Sequence, residues 1–274
     1  VPLGSKDKAV AALIATMQSP AVAPRLRREA GLLLGDLHWQ PDDLETFIEV
    51  PTGEFLYGDP PKPRQIKHRY WTAKYSVTNA QYRRFIEDQG YARPEFWTKD
   101  GWAWRMGTYE TTATEKYELD LLARRPPERR HQPYFWDDHE RSNPIFPVVG
   151  ITWFEAQAYT AWLDRQLTEL PLGDGRRVAK PPRYAVRLPT DMEWERAARG
   201  TDGREYPWVG EFDFVHANVA KEISEGMGAT AVCTYPTGAS PTGAWDMTGN
   251  VWEWTNTPFS GQNSSPVVRG GSWG

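Results

Sequence analysis

Between residues 6 and 35 apolar positions recur at helical spacing. Ala9, Val10, Leu13, Ile14 and Met17 form one stripe; Pro20 and Pro24 interrupt it; Leu26, Ala30 and Leu33–Leu34 form a second that ends near Gly35. Two short amphipathic helices in tandem read as the last unit of a helical-repeat array. One such pair buries its apolar face only by docking on the rest of the chain or by continuing into an upstream region. Residues 6–43 are therefore expected to be a helical extension, and 44–274 the main domain.

The pattern then changes. Phe47 to Tyr57 alternates and is broken by Pro51-Thr-Gly53, which predicts a hairpin. Three later segments open with an N-cap Thr followed three residues on by Gln or Glu, each at the head of an apolar helical period. Thr78 with Gln81 leads to Tyr82, Phe85 and Ile86; Thr152 with Glu155 to Ala156, Tyr159, Trp162 and Leu163; Thr190 with Glu193 to Trp194 and Ala197-Ala198. Residues 91–147 show no clear element, and so long an irregular stretch inside a domain tends to be functional. Beyond Gly200 the pattern is short strands and turns, with Pro236-Thr-Gly238 and Ser240-Pro-Thr-Gly243 as turn chemistry.

Composition narrows the function classes. Fourteen Trp with 23 Gly and 23 Pro indicate a loop-rich fold held by large indoles rather than by long regular elements. A net charge of −4 leaves no basic surplus for phosphate contacts, which argues against nucleic acid as the main partner. No apolar run approaches the ~20 residues of a membrane span. The N-terminus lacks the succession of a signal peptide, so a cytoplasmic location is expected. Cys233 is the single cysteine, which excludes an internal disulfide and a thiolate pair within these 274 residues.

Candidate chemistry concentrates near the end of the chain, in Gly243-Ala-Trp-Asp-Met-Thr-Gly-Asn-Val-Trp-Glu-Trp254 and Val268-Arg-Gly-Gly-Ser-Trp273. Asp246 and Glu253 stand seven residues apart with the Gly249 and Val251 carbonyls between them. Oxygen ligands spread over a short irregular loop suit a hard cation such as Ca²⁺, and Trp245, Trp252 and Trp254 could wall it off from water. By spacing alone, a Trp-rich turn with a solvated Asp and Glu fits equally well.

These segments together resemble the formylglycine-generating enzyme and sulfatase-modifying-factor superfamily. The matching runs are Val50-Pro-Thr-Gly-Glu-Phe55, Tyr75-Ser-Val-Thr-Asn-Ala-Gln-Tyr82, Pro147-Val-Val-Gly-Ile-Thr-Trp-Phe-Glu-Ala156, Arg187-Leu-Pro-Thr-Asp-Met-Glu-Trp-Glu-Arg-Ala-Ala-Arg-Gly200, Tyr206-Pro-Trp208 and the two C-terminal runs. The resemblance implies an α+β, C-type-lectin-like fold: a small twisted antiparallel sheet, two or three helices and extensive loops. It also implies a structural Ca²⁺ on Asp246, Gly249, Val251 and Glu253. A second Ca²⁺ would use Asn218 and the Val219 carbonyl, with its acidic partner expected near Ser224, flanked by Glu222 and Glu225.

For activity the resemblance implies two branches. The oxidase of the superfamily holds copper with two thiolates placed just after the Arg-Gly-Gly-Ser motif, and soft thiolates suit Cu(I). Here that motif is Arg269–Trp273, so the oxidase reading, acting on a cysteine of a client protein, requires two cysteines beyond Gly274. Members usually continue for several tens of residues, so a longer polypeptide is expected. The sulfoxide synthases of the superfamily need clustered histidines, whereas His38, His68, His131, His139 and His216 show no metal-ligand spacing. The other branch is non-catalytic: sensors and the variable proteins of bacterial diversity-generating retroelements, which present a binding surface for a protein or small-molecule ligand. The chain resembles that branch in its helical stub, which points to an upstream helical-repeat or effector domain, and in its Trp-bearing insertion. The expected ligand contacts are Trp102, Trp104, Trp136, Arg269, Ser272 and Trp273.

Overall fold

The apolar stripe of residues 6–35 forms two helices, α1 (Ser5–Gln18) and α2 (Pro24–Asp36). They belong to a computed structural model that describes residues 4–110, 125–219, 228–259 and 266–273. Pro24 lies in the first turn of α2, where its missing N–H breaks no helical hydrogen bond. Of the two ways to bury this pair, the structure shows docking. Met17, Ala30 and Leu34 enter one apolar core with Tyr75, Ile145, Phe146 and Val232. At Gly31 a Cβ would meet the Ala231 Cβ at 2.9 Å, so α2 approaches the body too closely for a side chain there. Arg27 is only 2% exposed; its Nε donates to the Met17 carbonyl at 2.9 Å and its Nη2 to the Thr234 carbonyl, beneath the Tyr235 ring.

The next four strands correct the expected hairpin. β1 (Phe47–Val50) pairs antiparallel with β4 (Tyr70–Ala73), and β2 (Gly53–Tyr57) with β3 (Lys62–Ile66), so the β2–β3 hairpin is nested inside the β1–β4 pair. Pro51 has no ladder donor, and Gly53 takes φ +148°, which L side chains rarely adopt. Together they lead the chain into a second ribbon rather than back along the first. Val50 and Phe55, on either side of this step, share a core with Trp194, Ala197 and Ala198.

α3 (Asn79–Glu87) starts at Thr78, whose hydroxyl accepts the Gln81 N–H while Gln81 Oε1 accepts the Thr78 N–H. Residues 91–147 hold a helix that the sequence reading left out, α4 (Lys99–Met106), capped by Thr98 and closed by Gly107 at φ +77°. α5 (Trp153–Gln166) and α6 (Asp191–Arg199) carry the other two capping boxes, with Glu155 and Glu193 reaching back 2.8 Å to Thr152 N and Thr190 N. Between them β5 (Glu169–Pro171) and β6 (Arg177–Ala179) form a second hairpin, and β7 (Glu253–Pro258) pairs with β8 (Pro266–Arg269). The class is α+β. Among the described residues the antiparallel structure is divided into four two-stranded ribbons, with helices and loops packed around them.

The loop between α6 and β7 is pinned from two sides. Met247 enters the core that holds Trp194, and Val251 enters the core that holds α1 and α2. Both are 7% exposed. The residues from 246 to 253 therefore sit where two cores meet.

Candidate functional site

Asp246 takes φ +56° and Asn250 φ +63°, positions that Asp and Asn tolerate better than most side chains. Gly249, at φ +76°, has no alternative: a Cβ would meet the Asn218 carbonyl oxygen at 2.5 Å. Its N–H donates to the Gly270 carbonyl at 2.8 Å, which ties the loop to the end of β8. The Gly249 carbonyl accepts the Val251 N–H, and the Val251 carbonyl lies toward Gly270.

This fold of the loop buries two carboxylates. Asp246 is 8% exposed and its Oδ2 has no hydrogen-bond partner. Glu253 is half-buried as a residue, but its carboxylate turns inward, accepting Ser76 Oγ on Oε1 and Trp194 Nε1 on Oε2, both at 2.6 Å. Among the described residues no basic side chain forms an ion pair with either. Burial, followed by the charge of Glu253, pushes Asp246 up to about 7 against a smaller pull from Asn250. Burial also raises Glu253, against the pull of Ser76 and Trp194. Two buried carboxylates without a counter-charge are costly, and the donor set is hard oxygen throughout. The residues therefore fit a hard divalent cation.

Asn218 serves as a tether between loops. Its carbonyl accepts the Asn250 N–H at 2.9 Å, and its Nδ2 donates to the Gly228 carbonyl and to Asn250 Oδ1. Val219 lies against Gly249. Ser224, Glu222 and Glu225, expected near a second cation, lie outside the described residues.

The other expected contacts divide. Trp104 is 1% exposed, stacked on Trp97 beneath the Arg125 and Arg130 guanidiniums, and so belongs to the core rather than to a ligand surface. The physical reason is α4, which turns this indole inward. Trp102 and Trp136 are half-buried against the same core, with the Arg83 guanidinium over Trp136. Arg269 is engaged: Nε is 3.2 Å from Asp191 Oδ1, Nη2 bonds Glu195 Oε2, and the guanidinium covers the Trp194 ring at 5.0 Å. Ser272 is half-buried, and Trp273, like Trp245, packs on the core that holds α1 and α2. Trp252, expected to shield the loop, is instead 59% exposed.

The sequence reading missed two features that shape the surface. A cavity of ≈ 480 Å³ opens in the insertion between Arg129, His131, Tyr134 and Asp137. Its floor is fixed by Arg125, which forms a fork on Glu155 at 2.6 and 2.7 Å while Glu155 caps α5. No sequence signal joins Arg125 to Glu155. The exposed apolar residues Trp252, Phe259 and Val268 lie on or beside the β7–β8 ribbon.

Cys233 is 2% exposed, and burial, with the charges of Asp246 and Asp43, pushes its thiol up to about 12. The Asp137–Glu140 run is dispersed: Asp138 pairs with Arg141, Glu140 with Arg28, and His139 points to Asp36. His216 stacks on Trp208. Among the described residues no three His, Cys, Asp or Glu side chains come together as a metal site.

Residues 35–274 match the sulfatase-modifying factor enzyme 1-like domain. A hercynine oxygenase of Mycolicibacterium thermoresistibile is 32% identical over 231 residues, 72% of this chain, which spans 42% of that relative's length. An inactive C-alpha-formylglycine-generating enzyme 2 of Bos taurus is 29% identical over 253 residues, 82% of this chain and 75% of the relative. The crystal structure of CarF superposes with a TM-score of 0.51 at 18% identity over 83% of this chain and 87% of its own, a likeness of fold alone.

Proposed function

The chain belongs to the sulfatase-modifying factor enzyme 1-like family, and from that premise we propose that it is a non-catalytic recognition module. Its binding surface for a protein or small-molecule ligand is built from the β7–β8 ribbon and the insertion at 91–147. Asp246 and Glu253, with carbonyls of their loop, hold a structural Ca²⁺ that orders the Arg269–Trp273 segment. The observation that carries this reading is the exposed apolar face of the β7–β8 ribbon; Cys233, the single thiol of the 274 residues, is buried and supplies no thiolate pair within them. The likeness to an inactive formylglycine-generating enzyme supports it. The exposed Trp252, Phe259 and Val268 supply apolar contact area at the ribbon.

The 32% identity to a hercynine oxygenase favours a second reading, in which this domain is one part of a larger oxygenase whose metal donors come from outside the described residues. The natural full-length protein separates the readings. It would be assayed with Cu(I) and a cysteine-containing peptide, and with Fe(II), hercynine and oxygen. Recognition without catalysis requires no turnover in either assay. Oxidation of the peptide would restore the copper oxidase, and consumption of hercynine would establish the second reading.

A further inference from the structure

We propose that Ser76 and Trp194 are the positioning residues that set the cation affinity of the Asp246–Glu253 loop. The inference rests on the Ca²⁺ reading above and concerns residues that are not themselves ligands. Ser76 stands between β4 and α3, and Trp194 on α6, so Glu253 is gripped by two elements distant from it in sequence. Both donors approach at 2.6 Å. Each bond occupies one carboxylate oxygen as acceptor. The pair therefore holds the Glu253 carboxylate in a single orientation.

Asp246 lacks this support, since its Oδ2 is buried without a partner. One side of the loop is thus a pre-oriented anion and the other an unsatisfied one. A divalent cation satisfies both at once. The orientation of Trp194 is itself fixed, because its ring carries the Arg269 guanidinium and Arg269 is anchored by Asp191 and Glu195. Outer groups that orient a metal ligand change affinity when removed, by about 10- to 100-fold in known sites.

Calcium titration calorimetry of the full natural chain, stripped of metal, tests this. Trp194→Phe removes the N–H and keeps a ring beneath Arg269; Ser76→Ala removes the hydroxyl; Ser76→Thr keeps one. The proposal expects Kd for Ca²⁺ to rise about 10- to 100-fold in Trp194→Phe and Ser76→Ala, and most of the affinity to return in Ser76→Thr. A purely structural role would lower the metal-free melting temperature and leave Kd unmoved. Should Trp194→Phe fail to fold, the two Ser76 variants decide alone. Unchanged Kd in Ser76→Ala, or equal loss in Ser76→Ala and Ser76→Thr, overturns the positioning role while the Ca²⁺ reading stands. A wild-type chain that binds no Ca²⁺ overturns both.

Discussion

Two groups of buried carboxylates lie within reach of each other, and they are neutralised in opposite ways. On α6, Asp191, Glu193 and Glu195 are 8%, 5% and 2% exposed, and each meets an arginine. Arg187 forms a fork on Glu193 at 2.7 Å, Arg199 bonds Glu195 at 2.7 Å, and Arg269 reaches both Asp191 and Glu195. In the neighbouring loop, among the described residues, Asp246 and Glu253 have only the neutral donors Asn250, Ser76 and Trp194. The consequence shows in their acidity. Burial alone would raise Glu193, but Arg187 and the Thr190 N–H outweigh it and leave the carboxyl below its ordinary value. Asp246 is pushed up to about 7. Among the described residues the chain supplies cations to one group and none to the other, which is where the Ca²⁺ is proposed.

The largest expected effect breaks the self-sufficient group. Glu195→Ala strips Arg199 and Arg269 of their common partner and leaves the Gly58 N–H without its acceptor. Removing one member of a buried pair costs about 3–5 kcal/mol. The low end is expected, because Arg199 and Arg269 are partly exposed and can rehydrate. Urea unfolding should show this loss equally with Ca²⁺ and with EDTA; a loss that appears only with Ca²⁺ would mean the two groups are not separate.

The loop should behave in the reverse manner. At free Ca²⁺ a hundredfold above Kd, binding adds about 2.7 kcal/mol, so EDTA should lower Tm by roughly 5–10 °C for a chain of this size. Asp246→Asn should abolish the EDTA effect. It should also leave the metal-free protein no less stable, since it deletes a charge that the interior disfavours. An EDTA-insensitive wild type would remove the cation from the account.

Protons offer a finer test. Glu193 has a folded value below its unfolded one, so its contribution is complete above the unfolded value of about 4.3 and disappears as pH falls through the folded value. Glu193→Gln keeps a side-chain acceptor for the Thr190 N–H but cannot lose a charge. Urea midpoints between about pH 3 and 7 should fall less steeply on the acid side in the variant. Parallel acid limbs would show that Arg187 does not hold the carboxylate.

How much of this was readable beforehand depends on sequence distance. The three capping boxes lie within four residues each, and all three form. α4 escaped because Thr98 is followed at the third helical position by Gly101, which has no side chain to complete a box. The hairpin across Pro51–Gly53 was misread because the partner of β1 arrives only at Tyr70–Ala73, after a second hairpin. Asp246 and Glu253 stand out in the sequence as a pair, but Ser76 is 177 residues from Glu253, and Trp194 is 59. The arginines that distinguish α6 from the loop come in part from β8, at Arg269. Local chemistry announces itself in sequence; counter-charge delivered from afar does not.

The smallest expected signal comes from the thiol beside the loop. Burial first, then the charges of Asp246 and Asp43, hold the Cys233 proton to about pH 12. At mild alkaline pH the folded protein should therefore react with iodoacetamide only as fast as it opens, and at the full rate of a free thiol in urea. Because burial is the larger cause, Asp246→Asn should leave this protection nearly intact. A native thiol alkylated as fast as an unfolded one would overturn the place of Cys233 in the core that holds α1 and α2.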